Sequence, residues 1–367
     1  MRIIRLCLIL GLILSVSFLK AQSNDNLYSF FIAGHSYGQP GVNNVGLHPP
    51  FKKKFEYIKS RSEIKFGVLT GDIVKPSPIA QDWDEVDADI VSLGLPIYFA
   101  VGNHDMENRP LFESRYGETY FHFIYQNDLF IVLDPNLDGW NISGAQLEFL
   151  ENVVDENYQS VANIFVLFHQ LLWRESDNIY SDIKPNSFAG RDETINFWTV
   201  IEPLFHELPN QVVFCCGDVG AASWSSDFMY DSYDNISFIA SGMGENDGDN
   251  FVVINVNLNK TINYDLICLG NSMLNCFGEL TDYQMSQEKE SFVKIYPNPV
   301  SSFVTIEFGT KLETIIQLFD INGRLILEQQ NNGHFKQNID LTFLSKGLYI
   351  IKVVNELHPI TTKLVVQ

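Results

Sequence analysis

Five short segments of the 367-residue chain carry side chains that act on metals and protons: His35, Asp72, the run Gly102-Asn103-His104-Asp105, His169 and Asp218. Each follows an apolar run. Gly102-Asn103-His104-Asp105 sets an amide, an imidazole and a carboxylate side by side after a glycine turn, and 31 residues lead from Asp72 to Asn103, close to one strand–helix–strand step. Oxygen and imidazole donors on one edge suit a hard or borderline divalent ion such as Mn²⁺, Fe, Zn²⁺ or Mg²⁺. Such an ion activates water and steadies growing negative charge, the chemistry of metal-assisted hydrolysis. A nearby histidine then suits protonation of a leaving oxygen. Taken singly, each segment has a plainer reading: Gly-Asp after a strand is a turn, and a histidine at a strand end is more often structural. Repetition at successive strand ends is what points to a site.

The elements that must position these groups follow from the apolar pattern. Strands are expected over 27–33, 66–70 and 95–101, alternating with helices over 51–61 and 83–93. Three consecutive strand–helix units imply a parallel sheet with right-handed crossovers, and ligands bind beyond the carboxyl ends of such strands. Gln126-Asn127-Asp128 reads as the turn of a hairpin between 120–125 and 129–133. Ser143 with Gln146 three residues on has the pattern of a capping box for a helix over 143–157. A strand over 163–168 runs into His169, a helix spans 192–208, and a strand over 211–216 runs into Gly217-Asp218. Runs over 236–240, 251–258 and 262–269 read as further, antiparallel strands.

Residues from about 27 to 270 resemble the calcineurin-like metallophosphoesterase superfamily. The residues that carry the resemblance are Ala33-Gly34-His35, Gly71-Asp72, Gly102-Asn103-His104-Asp105, His169 and Gly217-Asp218-Val219-Gly220. The resemblance implies a four-layer α/β/β/α fold and a site for one or two divalent ions that hydrolyses a phosphate ester, either a monoester or a diester. It implies that Asp72, Asn103, His169 and Asp218 hold one ion, that His35 belongs with Asp72 to the other position, and that His104 is the general acid, with His35 also acting on the phosphate. The chain departs from the family pattern in three places. Ala33 replaces an aspartate, and Asp218 and Gly220 replace histidines. One ion position is therefore complete in number and the other depleted, which leaves a non-catalytic descendant, binding a glycan, a metal or a partner protein, as the alternative. His48 offers a replacement ligand, although a loop histidine is usually only solvated. The acidic run Gly244-Glu245-Asn246-Asp247-Gly248-Asp249 lacks the full spacing of a calcium loop and reads as a turn. The loops over 36–50 and 171–191 are expected to shape specificity.

From residue 293 onward the chain resembles the C-terminal sorting domain of the type IX secretion system of Bacteroidetes. Tyr296-Pro297-Asn298-Pro299, Leu318-Phe319-Asp320-Ile321-Asn322-Gly323-Arg324 and Leu344-Ser345-Lys346-Gly347-Leu348-Tyr349 carry that resemblance. Short strands punctuated by Asn322-Gly323 and Asn332-Gly333 read as a small β-sandwich. The implied partner is the secretion machinery, and the implied destination is the outer cell surface or the medium.

Bulk properties agree. Arg2 and Arg5 precede an apolar run over 6–18 that is too short for a comfortable membrane span, so 1–21 reads as a secretory signal and the mature chain as lacking a transmembrane segment. The expected organisation is a signal over 1–21, the phosphoesterase-like domain over 22–279, a linker over 280–292 and the sorting domain over 293–367. A formal charge of −21 argues against nucleic acid, which needs a cationic surface. Cys215 and Cys216 are adjacent on a strand and are expected to point to opposite faces, whereas Cys268 and Cys276 flank a short loop that a disulfide is expected to close in an oxidising compartment.

Overall fold

The structure, a computed structural model, describes residues 26–245, 247–270, 279–280, 293–308, 313–320, 324–332, 336–354 and 360–367. The first part of the chain forms, in order, β1 (Asn26–Ala33), α1 (Pro49–Lys52), α2 (Phe55–Ser60), β2 (Ile64–Thr70), α3 (Ala80–Leu93), β3 (Ile97–Ala100), α4 (Asn103–Met106) and α5 (Arg109–Tyr116). It continues through β4 (Phe121–Tyr125), β5 (Asp128–Val132), α6 (Gly144–Asn157), β6 (Asn163–Leu167) and a π-helical turn (Phe197–Ile201) that runs into α7 (Glu202–His206). Then come β7 (Gln211–Cys216), β8 (Phe228–Tyr233), β9 (Ile236–Ser241), β10 (Asn250–Asn257), β11 (Ile262–Cys268) and β12 (Glu279–Leu280).

Two six-stranded sheets result, with strand orders β12-β11-β10-β1-β2-β3 and β4-β5-β6-β7-β9-β8. Strands β1, β2 and β3 are parallel neighbours, as are β5, β6, β7 and β9. Their near-continuous apolar runs follow from burial of both faces. Phe30, Ile32, Phe66 and Val68 of the first sheet meet Phe130, Val132, Phe165 and Val213 of the second in a layer between the sheets. There Phe130 stacks on Phe165 with ring centres 4.8 Å apart and meets Phe66 edge-on at 5.2 Å. Alternate residues face outward. Phe31, Leu69 and Val253 pack on Phe51, Trp83 and Phe112 of the helices over the first sheet. Ile164, Val166 and Phe214 pack on Leu150, Val153, Phe197 and Phe205 over the second. The order is therefore helix, sheet, sheet, helix, as the resemblance implies.

Local chemistry sets several boundaries. Helix α3 starts where Asp82 turns back to accept from the Ile79 amide at 2.9 Å, and it stops at Gly94 in the left-handed region. The expected helix over 51–61 is two short helices that begin earlier, at Pro49, a residue with no N–H to leave unpaired in a first turn. The expected helix over 192–208 begins only at Phe197, because the Asn196 side chain bonds the backbone of Ile142 on both sides. Ser143 precedes α6 without capping it; its hydroxyl donates to Asp138. The strand over 236–240 pairs parallel to β7 in the second sheet, and β8, with its mixed Phe-Met-Tyr-Asp-Ser-Tyr sequence, has no clear alternation to announce it.

Beyond these layers lie β13 (Val293–Tyr296), β14 (Phe303–Phe308), β15 (Glu313–Phe319), β16 (Leu325–Asn332), β17 (Lys336–Asp340), β18 (Gly347–Val354) and β19 (Ile360–Val366). They form antiparallel sheets ordered β13-β14-β17 and β16-β15-β18-β19 around Val304, Ile306, Ile316, Leu318, Ile351 and Leu364, the expected all-β unit. Cys215 and Cys216 are free and buried, one facing the layer between the sheets and one facing the helices. Cys268 is disulfide-bonded. Cys276 and the expected signal over 1–21 lie outside the described residues.

Candidate metal centre

The five segments meet at the seam between the two sheets. His35, Asp72 and Asn103-His104 follow β1, β2 and β3, which are neighbours in the first sheet; His169 and Asp218 follow β6 and β7 of the second. The seam closes because two glycines cross it. A Cβ on Gly34 would stand 2.3 Å from the Gly217 Cα, so no larger residue fits where the loops after β1 and β7 touch. Gly71, at φ +85°, supports the His169 ring in the same way.

Asp72 is the hub. Its Oδ2 lies 3.3 Å from His104 Nδ1, 3.4 Å from His169 Nε2 and 3.7 Å from His35 Nε2. His169 Nε2 is in turn 3.8 Å from Asp218 Oδ1. Asn103 opens α4 immediately before His104 and is half-buried. His35 and Asp72 both sit in the left-handed region, at φ 50° and 47°. That conformation is uncommon for residues with a Cβ and costs about 1–3 kcal/mol each, a cost met most often at functional sites.

Each ring is aimed by its other nitrogen. His35 Nδ1 lies 3.1 Å from the Met243 carbonyl and His169 Nδ1 2.8 Å from the Thr70 carbonyl; since a carbonyl only accepts, both Nδ1 atoms carry the proton and both Nε2 atoms face Asp72. Asp72 Oδ1 accepts from the His104 amide at 3.0 Å. Asp105 is placed differently from its neighbours. Fully buried, it accepts from the amides of Ile73, Val74 and Gly102, stitching the loop after β2 to the loop after β3 and standing behind the cluster. Tyr37, Gln170 and Asn136 were not anticipated. The Tyr37 ring packs 4.5 Å from His35 and 5.4 Å from His104, and Gln170 donates to Asn136, which reaches the Val101 carbonyl. Tyr37 and Gln170 carry one sequence signal, their place one or two residues past a cluster histidine. His48, by contrast, is engaged elsewhere: its Nε2 lies 2.8 Å from Asp249 Oδ2. The acidic run is likewise accounted for in part, since Asp249 also accepts from the Gly244 amide.

Charges in the cluster are strongly perturbed. Burial pushes His35 down to about 4 against the pull of Asp72. Burial opposes ionisation of Asp72 too, but His169, His104 and His35 outweigh it and hold the carboxyl well below its ordinary range. His169 goes the other way, up to about 10, because Asp72 and Asp218 overcome the effect of burial. Burial lifts Asp218 to about 8 and Asp105 to about 7, with Asp72 adding to both.

The donors fit an ion. His104 Nδ1, His169 Nε2 and both oxygens of Asp218 are buried atoms with no hydrogen-bond partner, an expensive arrangement for a cluster meant to be empty. Contacts of 3.3–3.8 Å are long for hydrogen bonds, whereas ligands about 2.1 Å from one shared ion in tetrahedral array stand about 3.4 Å apart. One ligand atom from each of His35, Asp72 and His104 also lies within 4.8 Å of the others.

Residues 35–197 match the sequence model of the calcineurin-like phosphoesterases, and residues 294–367 match that of the secretion system C-terminal sorting domain. The first match ends before Asp218, so that residue's place in the cluster stands on geometry. No curated protein matches. Among solved structures, a Staphylococcus aureus protein assigned as a 5′-nucleotidase, in complex with α-ketoglutarate, shares 11% identity at a TM-score of 0.41 over 75% of this chain and 61% of its own. The calcium-binding mutant of Bacteroides uniformis β-glucuronidase 2 shares 10% at a TM-score of 0.24, over 87% of this chain and 40% of that one. The FMN-binding β-glucuronidase of Facaelibacterium prausnitzii L2-6 shares 10% at 0.21, over 92% and 59%. The chain thus spans about three fifths, or less, of each of these structures. It carries a calcineurin-like phosphoesterase region, of a family that uses divalent metals, and a sorting tail of secreted or cell-surface proteins. No helix among the described residues is long and apolar enough to cross a membrane.

Proposed function

We propose that the chain is an exported, metal-dependent hydrolase of phosphate esters, organised as a phosphoesterase domain over 22–279, a linker over 280–292 and a sorting domain over 293–367. The observation that carries the reading is the convergence of three imidazoles on one oxygen of Asp72, with Asp218 behind His169 and four buried donor atoms left unpartnered. Asp72, Asn103, His169 and Asp218 hold one firmly bound divalent ion, and His35 with Asp72 offers a weaker second position. The ion supplies a more acidic water and a counter-charge for the phosphoryl oxygens.

The remaining work falls to the chain. Asp72 stays ionised over the whole neutral range and fixes the three rings around itself. His104, the most exposed of the three, with 19% of its side chain open, faces the approach and gives the departing ester oxygen its proton. Tyr37 keeps the His35 and His104 rings from turning.

Metal analysis of the purified protein, paired with turnover of bis(p-nitrophenyl) phosphate and p-nitrophenyl phosphate with and without Mn²⁺, tests the reading. One bound ion and Mn²⁺-dependent turnover lost in Asp72→Asn supports it; absence of both metal and turnover overturns it. The depleted position, with Ala33 and Gly220 where the family has ligands, favours the second reading: a non-catalytic relative that binds a glycan, a metal or a partner protein. That reading predicts a bound ion without turnover.

A further inference from the structure

His48 and Asp249 are buried polar residues outside the metal cluster, yet they end one peptide group away from it. Asp249 Oδ2 lies 2.8 Å from His48 Nε2, and its other oxygen accepts from the Gly244 amide at 2.6 Å. The Gly244 N–H and the Met243 C=O belong to one planar peptide group. In a trans peptide the two point in opposite directions. The C=O end receives His35 Nδ1 at 3.1 Å. Asp249 therefore grips one side of a plate whose other side aims the His35 ring.

The grip has chemical consequences because Gly244 lies at φ +135°, and a glycine reaches either sign of φ, so residue type alone does not fix the orientation of the peptide before it. In the observed orientation the carbonyl compels His35 Nδ1 to carry the proton, and the Nε2 lone pair faces Asp72. After a flip, the Gly244 N–H would face Nδ1. The ring would then hold its proton on Nε2, against Asp72, with no lone pair for an ion. A carboxylate accepts and never donates, so Asp249 stabilises one orientation. His48 fixes the carboxylate and is itself fixed, its amide donating to the Ser36 carbonyl at 2.8 Å and its ring filling the space above Gly38.

We infer that Asp249, held by His48, is a positioning residue that locks the Met243–Gly244 peptide and thereby makes His35 present Nε2 to Asp72 and its ion. The inference rests on the reading of His35 as a member of the metal cluster, and its test separates the two. Full-length protein labelled with ¹⁵N-histidine and freed of metal is examined at pH 7 by long-range ¹H–¹⁵N spectra, with His35→Gln used to assign the signal. His35 in the wild type shows the single tautomer protonated at Nδ1. Asp249→Ala shows the Nε2-protonated form as well, and its affinity for Mn²⁺ at the weaker position that His35 shares with Asp72 falls about 10- to 100-fold, the usual size for loss of a residue that orients a ligand. Asp249→Asn, which keeps an oxygen for the Gly244 amide, stays close to the wild type in both readouts. A wild-type His35 protonated at Nε2 overturns the inference without any variant. So does a folded Asp249→Ala protein whose His35 keeps the Nδ1-protonated tautomer. A shifted tautomer with unchanged Mn²⁺ affinity at that weaker position leaves the positioning role standing and removes His35 from the metal cluster.

Discussion

The two sheets bring unequal halves to the seam. On the first-sheet side two cluster residues are held by backbone, His35 by the Met243 carbonyl and Asp72 by the His104 amide, and the loops behind them are joined by the three amides from which Asp105 accepts, while His104 Nδ1 has no hydrogen-bond partner. On the second-sheet side His169 is aimed by the Thr70 carbonyl, itself part of the first sheet, and neither oxygen of Asp218 has a hydrogen bond of good geometry, with His169 Nε2 3.8 Å from Oδ1. More of the first half is thus fixed by hydrogen bonds within the chain. On the reading proposed above an ion would supply the partner that the second half lacks, so its donors should be cheap to remove from the metal-free protein and costly to remove from the loaded one.

The largest expected effect breaks both halves at once. Asp72→Asn removes the charge that three imidazoles share, and phosphodiester turnover should fall by about 10³-fold or more, on the scale of a lost electrostatic group at a reacting centre. Turnover within tenfold of wild type would mean that Asp72 is not the hub. Next, Phe130→Ala opens a cavity in the layer that presses the sheets together and should cost about 3–5 kcal/mol by urea unfolding. A loss under 1 kcal/mol would show that the seam is held closed elsewhere.

A smaller and more selective effect belongs to Asp218→Asn. The stabilisation gained on adding Mn²⁺ should shrink, with affinity down about 10- to 100-fold, while the empty protein melts no earlier than wild type. An unchanged Mn²⁺ response would remove Asp218 from the ligand set.

The pH response sharpens the same contrast. Asp218, lifted to about 8, and His169, lifted to about 10, both hold protons in the folded empty protein at pH values where the unfolded chain has lost them. Unfolding then releases protons, so stability falls as pH rises. The Asp218 contribution is lost between about 4 and about 8, and that of His169 between about 6.5 and about 10. Thermal scans of metal-free protein from pH 6 to 9 should show a declining Tm, and excess Mn²⁺, which replaces those protons, should flatten it. A metal-free Tm that climbs across this range would contradict the charge states assigned here.

How much of this was legible beforehand depended on the range of the interaction. Gly102-Asn103-His104-Asp105 and Gly71-Asp72 are local patterns, glycine turns after apolar strands, and the structure brings Asp72 and His104 side by side. His169 and Asp218 were visible as strand-end residues, yet nothing local says that β6 and β7 belong to a second sheet facing the first. Asp105, read beside its neighbours, proved to be a fastener, because its three amide partners come from two loops about 30 residues apart in the chain. His48 and Asp249 looked like a spare ligand and part of an acidic turn, and only their 2.8 Å contact across 201 residues gave them a joint role.

The sequence by itself determined the strand–helix alternation, the order in which chemistry-bearing residues reach strand ends, and the all-β sorting tail. Apolar periodicity and turn residues act over a few positions, and they are read directly. Tertiary structure decided which strand ends face each other, which nitrogen each histidine turns to Asp72, and which acidic residues serve the cluster. Those outcomes depend on close approach at Gly34 and Gly217, on carbonyls supplied by distant loops, and on burial that moves proton affinities, none of which exists until the two sheets have packed.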